Sequence, residues 1–298
     1  MRVLITGITG FIGSHLAERL IDDGHKVYAI VRPTSDIQYL LPTVRQQVDF
    51  RMLDANHTLF DIMSDLDDSD MKPEIVYHLA SLYLSRHQPQ EVCELIASNI
   101  TFGTELLEAM ANHDITRLVW AGTSWQHYQD EVYNPVNLYA ATKEAYAVLL
   151  KYYRETAGVQ DICLQLFDTY GSRDKRRKLI HLLLETAESG ENLAMSPGNQ
   201  QIDLVHIDDV VGAFVTAGEL LNKGRKGGVY AVSSGRQLTL RELVHLMERI
   251  LQKPLNITWG GRSYREREVM LPWQKGERLP DWQPKITLED GLRRLLEL

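Results

Sequence analysis

The chain has 298 residues, 44% of them hydrophobic and 24% charged, a balance that supports a packed fold and excludes global disorder. A net charge of −8 argues against a dedicated nucleic-acid binder or a membrane-surface protein. The one basic run, Lys175-Arg176-Arg177-Lys178, is too short to cover a duplex.

Val3-Leu4-Ile5 is the first strand, and with the glycines after it the segment reads as neither a signal h-region nor a transit peptide, so none is expected. Further short apolar runs follow at Val27–Val31, Val48–Leu53, Ile75–Leu79, Leu118–Ala121 and Ile162–Phe167. Continuous apolar strands of this kind suit a parallel sheet buried on both faces. Helical patterns lie between them; Ile12, Leu16, Leu20 and Ile21 share one face of a helix that ends at Asp23-Gly24. Strand–helix alternation implies right-handed crossovers, hence a doubly wound α/β fold.

The pattern loosens after Gly171. Helices are predicted over Leu179–Ser189, Asp208–Leu221, Leu240 to about Leu251 behind the Thr239/Glu242 capping box, and from Thr287–Asp290 onward. Val229–Val232 reads as a strand, and 272–284 as a Pro/Trp-rich loop. This predicts a Rossmann domain over 1–171 and 201–232, with a smaller discontinuous domain over 172–200 and 233–298. Cys93 and Cys163 make no disulfide framework and fit no zinc spacing, so reduced thiols in a core are expected and no metal. No apolar run approaches the ~18 residues of a membrane helix. The expectation is a soluble cytoplasmic protein without nucleic-acid or membrane partners.

Three motifs carry chemistry. Thr6-Gly7-Ile8-Thr9-Gly10-Phe11-Ile12-Gly13 lies between the first strand and the first helix, where glycines let a backbone approach a pyrophosphate and helix amides face it. Its spacing is GxxGxxG rather than GxGxxG. Tyr139 and Lys143 stand four residues apart on one helical face, where an ammonium is expected to lower the tyrosine pKa toward that of a general acid or base. Thr123-Ser124 ends the fifth strand, at the edge of the sheet where ligands bind. Alone, each of the last two would pass for a surface pair and a turn.

In combination these residues resemble the extended short-chain dehydrogenase/reductase (NAD-dependent epimerase/dehydratase) family. Asp54, His78-Leu79-Ala80, Asn99 before Gly103-Thr104, Phe167–Gly171, Asp203–Asp209, and the tail Trp282-Gln283-Pro284 with Leu288–Leu292 fall in the family's order. The resemblance implies a bound NAD or NADP and a nucleotide-diphosphate sugar held by the smaller domain. It also implies a homodimer through a four-helix bundle that includes the Tyr139 helix. Carried over by position, Thr123, Tyr139 and Lys143 are catalytic. Gly7, Gly10, Phe11, Ile12, Gly13, Arg32, Asp54, Leu79, Ala80, Ser81, Asn99, Tyr139, Lys143 and Phe167 bind the cofactor, and Tyr83, Ser124, Asp168, Lys178 and Arg265 bind substrate.

Departures from the family pattern narrow the chemistry. Ser124-Trp125 stands where sugar 4,6-dehydratases carry an acidic pair, and neither side chain is an acid near neutral pH. Arg32 stands where an acid would hold the adenosine ribose, which favours NADP(H); Asp36, four residues on, keeps NAD(H) open. Residues 123–128 and 133–139 resemble the CDP-abequose synthase-like branch of nucleotide-sugar 4-ketoreductases, implying reduction of a 4-keto-6-deoxyhexose. A 4-epimerase with tightly bound NAD is the alternative, and a binding protein that lost catalysis is another. Gln165 and Asp168 replace an arginine and an asparagine common in the family, and a carboxylate there needs a cation, for which Lys175–Lys178 and Arg265 are candidates.

Overall fold

A computed structural model describes residues 1–68 and 71–296. The first part alternates β1 (Arg2–Thr6), α1 (Phe11–Asp22), β2 (Lys26–Val31), α2 (Pro42–Gln47), β3 (Asp49–Met52), α3 (Leu59–Asp68), β4 (Ile75–His78), α4 (Val92–Ile96), α5 (Phe102–Asn112), β5 (Arg117–Thr123), α6 (Leu138–Thr156) and β6 (Gln160–Leu166). The remainder runs β7 (Asp168–Tyr170), α7 (Leu179–Ser189), β8 (Leu193–Met195), β9 (Gln201–His206), α8 (Ile207–Asn222), β10 (Gly228–Val232), β11 (Gln237–Thr239), α9 (Leu240–Leu251), β12 (Ile257–Trp259) and α10 (Leu288–Leu295).

The central sheet has seven strands in the order β10-β6-β5-β4-β1-β2-β3, and every pairing in it is parallel. In β1, Val3, Leu4 and Ile5 are all fully buried. Val3 and Ile5 pack toward α1 and α8, whereas Leu4 packs on the opposite face with residues of α3, α5 and α6. Burial on both faces is why the strand reads as an unbroken apolar run rather than an alternation. Strand order reverses between β1 and β4, and a crevice for ligands opens at such a switch point.

A third core lies apart from the sheet, built from Tyr170, α7, α9, α10 and neighbouring side chains. β9 joins it to the rest. Leu204 belongs to the third core and its neighbour Val205 to the first, as the two-residue period of a strand requires. β9 pairs parallel with β7 and antiparallel with β11, and β8 pairs parallel with β12. These strands were absent from the sequence prediction because they are mostly three residues long and lack an apolar run. One cysteine expectation is corrected: Cys163 is buried, but Cys93 is exposed on α4. Among the described residues, no helix is long and apolar enough to cross a membrane, and no cluster of three or more His, Cys, Asp or Glu could hold a metal.

Candidate active site

The glycine turn and the end of β4 meet at the switch point. Gly7 has φ +76°, and a Cβ there would lie 2.6 Å from the backbone N of Ala80. A Cβ on Gly13 would stand 2.2 Å from the Gly7 carbonyl oxygen. The first position therefore needs glycine for both conformation and approach, and the last for packing of α1 under the turn. Gly10 caps α1 without a side-chain bond, which leaves first-turn amides without a capping side chain and facing a cleft of about 210 Å³. That is the cradle a dinucleotide pyrophosphate requires, so the residues present fit such a cofactor.

Thr6 ties the two strand ends together. Its Oγ1 lies 2.8 Å from His78 Nδ1 and accepts from the Ala80 amide at 3.2 Å. Burial, with the nearby Lys143, pulls the His78 pKa down to about 3, so this imidazole is neutral and serves as a pin.

Asn99 has a different employment from the one expected. It is 2% exposed and sits in a π-helical turn, Ala97–Thr101. Its Oδ1 accepts from Ser81 Oγ and Leu82 N, and its Nδ2 donates to Leu82 O and Thr142 Oγ1. With all four hydrogen-bonding positions satisfied by protein, the amide positions Ser81 and Leu82 rather than contacting a cofactor.

Asn137 caps α6 by accepting the Ala140 amide at 2.9 Å, and this orients Tyr139 and Lys143 into the same cleft as Thr123. Lys143 Nζ lies 5.9 Å from the Tyr139 ring centre. Thr123 is held by Gln126, which accepts from the Thr123 amide at 2.9 Å and donates to Glu144 of α6 at 2.7 Å. The pKa expectation for Tyr139 is overturned. Burial, only partly offset by a hydrogen bond with Ser81, pushes its hydroxyl up to about 12. Burial also draws Lys143 down to about 8. Desolvation penalises both charged forms, so Tyr139 is a neutral phenol that holds its proton at physiological pH.

A second cavity of about 990 Å³ continues from the first, which is at the upper end for small-molecule sites. Tyr83, Ser124, Phe167, Asp168 and Lys178 line both, and Arg265 lines the larger. Basic side chains outnumber acidic ones around it, the composition of an anion site. The basic run divides, with Lys175 and Arg177 exposed and Arg176 and Lys178 half-buried. Lys178 lies 4.9 Å from the Tyr83 ring centre, and burial lowers its pKa. Arg176 forms a fork with Asp174 and covers the Phe11 ring at 4.6 Å, whereas Arg177 turns out to Glu185.

Several residues of this cavity were not expected from sequence. Trp125 stands 6.1 Å from Tyr83, and Trp273 stacks on His127 at 4.1 Å while lying parallel to Phe167. Arg262 and Arg267 come from the segment beside Arg265. The Pro/Trp-rich loop was visible as a loop, but its return to the end of β5 has no local signal.

Four expected cofactor residues, Arg32, Asp54, Ala80 and Asn99, line neither cavity. Asp54 closes its own turn, accepting from the amides of Asn56 and His57, bonds that hold its carboxyl below the usual range. Arg32 lies exposed in the turn after β2, and its guanidinium has no hydrogen-bond or ion-pair partner among the described residues.

A family model described as NAD dependent epimerase/dehydratase matches residues 3–233. CDP-abequose synthase of Salmonella muenchen is 26% identical over 304 residues, covering 100% of this chain and 97% of that one. UDP-glucose 4-epimerase from Thermotoga maritima, solved with UDP-glucose, superposes with a TM-score of 0.82 at 24% identity, covering 100% of this chain and 98% of the other. UDP-glucuronic acid 4-epimerase from Bacillus cereus, solved with UDP-glucuronic acid and NAD, superposes with a TM-score of 0.81 at 22% identity and the same coverage.

Proposed function

The chain belongs to the NAD dependent epimerase/dehydratase family, and from that premise we propose that it reduces the 4-keto group of a nucleotide-diphosphate 4-keto-6-deoxyhexose at the expense of NADPH. One observation carries this reading. Tyr139, Lys143 and Thr123 share a cleft with the glycine turn, and burial keeps Tyr139 protonated. A group in that state is poised to give a proton, as ketone reduction requires. Ser124 and Trp125 offer no acid for dehydration.

When bound at the glycine turn, a reduced nicotinamide cofactor would supply the hydride. Thr123 orients the carbonyl oxygen, Tyr139 donates its hydroxyl proton to that oxygen as negative charge develops, and Lys143 holds positive charge beside them. Asp168, beside Lys178 where the two cavities join, is compatible with an anionic substrate because that cation offsets it. Arg265 and Lys178 are the proposed diphosphate contacts, and a volume of about 990 Å³ leaves room for a nucleotide and a sugar. The third core supports assignment of 172–200 and 233–298 to substrate, with Tyr170, Ile202 and Leu204 contributed from the other side of that division. Val148 and Tyr152, 64% and 61% exposed on α6, support dimerisation through a bundle that includes this helix.

A 4-epimerase retaining NAD is the second reading. It is favoured by Asp36 in the turn after β2 and by the similarity to epimerases solved with UDP-sugars. The test is turnover against a panel of CDP-, dTDP-, GDP- and UDP-4-keto-6-deoxy sugars, read by NADPH consumption and product mass, beside interconversion of UDP-glucose and UDP-galactose without added cofactor. Stoichiometric NADPH oxidation supports the reductase; interconversion alone replaces it with the epimerase.

A further inference from the structure

The segment after β7 reaches back to the far end of the cofactor-binding half. The Tyr39 hydroxyl donates to the Arg173 carbonyl, and Arg173 Nη2 lies 2.6 Å from Glu18 Oε2 on α1. Lys175 Nζ stands 3.8 Å from the Tyr39 ring centre and 3.9 Å from Asp36 Oδ2. The Tyr39 and Asp36 contacts lie on the loop after β2, where a Rossmann sheet distinguishes a ribose hydroxyl from a 2′-phosphate.

That loop presents opposite charges within one turn. The Ser35 amide donates to the Arg32 carbonyl at 2.9 Å, the Arg32 amide donates to Ser35 Oγ at 3.0 Å, and Asp36 Oδ1 accepts from the Gln38 amide at 3.1 Å. The free Arg32 guanidinium attracts a phosphate; the Asp36 carboxylate four residues away repels one. As a source of stability an exposed Lys–Asp pair contributes little. Its electrostatic effect on a doubly charged phosphate a few ångströms away is another matter, because each unit charge then acts on nearly two.

We propose that Lys175 is a cofactor-selecting residue, which cancels the charge of Asp36 and so completes with Arg32 a site for the 2′-phosphate of NADP. The inference rests on the reading of NADPH as reductant and adds to it a residue from the substrate-binding part of the chain. Tyr39 is the platform that holds Lys175 in place.

Binding without turnover tests it, by titrating the whole protein with 2′,5′-ADP and with 5′-ADP, then with NADPH and NADH. Lys175→Ala should weaken 2′,5′-ADP about tenfold relative to 5′-ADP, and Lys175→Arg should restore most of the loss. Asp36→Asn should tighten 2′,5′-ADP. In the Asp36→Asn background Lys175→Ala should cost at most a third of its factor in the parent, because the charge it cancels is gone. If Lys175→Ala leaves the ratio of the two dissociation constants unchanged, or changes both alike, the inference is overturned. The reductant reading fails separately, if the parent protein binds NADH at least as tightly as NADPH.

Discussion

The ring of Tyr83 stands edge-on to the ring of Tyr139, centroids 5.0 Å apart at 81°. The contact fixes the Tyr139 ring through its edge and leaves the hydroxyl to Ser81 and to whatever enters the cleft. Packing and proton transfer are therefore separable at this residue.

Tyr139→Phe keeps the ring contact and removes the proton. Its kcat should fall by ~10²–10⁴-fold, with cofactor affinity within about twofold of the parent. Single-turnover NADPH oxidation beside a cofactor titration measures both. A variant retaining more than about a tenth of the parent rate would assign the proton to another donor, with Ser124 next in line.

Lys143 is costly to the fold in its charged form. Its pKa in the folded protein, about 8, lies below the value near 10.4 of an unfolded lysine. Below pH 8 both states carry the proton and the folded state bears the full penalty of burying it. Between pH 8 and about 10.4 the unfolded state binds more protons, so stability rises with pH over that window. Lys143→Met should therefore stabilise the protein at pH 7 by roughly 1–3 kcal/mol, with the gain shrinking as pH approaches 10.4, while turnover is lost. Denaturant melts of both proteins across pH 6–10.5 follow the difference. A gain that does not vary with pH would mean that burial of the charge is not its source.

Arg265 lines the larger cavity, and its backbone amide is held by Glu268 Oε2 at 3.1 Å. A bidentate guanidinium–phosphate contact has a net worth of about 1.5–3 kcal/mol, so Arg265→Ala should raise KM at least tenfold. Because its backbone is held independently, Tm should move little. An unchanged KM places the diphosphate elsewhere on the cavity wall.

Gly13→Ala tests the floor of the cofactor cleft. The new Cβ would meet the Gly7 carbonyl at 2.2 Å, and backbone cannot give way as a flexible side chain can. The turn must shift, so NADPH affinity should fall more than tenfold with a smaller loss of Tm. Gly24→Ala is the control for backbone strain alone: Gly24 has positive φ, which Gly13 has not, and a Cβ there meets nothing within 4 Å. It should lower Tm and leave cofactor affinity intact. Equal losses of affinity in both would point to general destabilisation.

Local pattern alone made the parallel sheet, the glycine turn and the Tyr139/Lys143 face legible, because each depends on residues a few positions apart. A buried strand announces itself by Val3-Leu4-Ile5, and a helix face by a four-residue spacing. What tertiary structure decided depends on what encloses a group. Burial reversed the expected shift at Tyr139, since no local spacing reveals how much water a fold removes. Asn99 looked like a ligand until four partners from two other segments satisfied its amide. The run Lys175–Lys178 read as one patch of charge, yet its members separate to Asp36, Asp174, Glu185 and Tyr83. Successive side chains leave an irregular segment in different directions, and their partners lie up to 139 residues away in sequence, so only the folded chain brings them together.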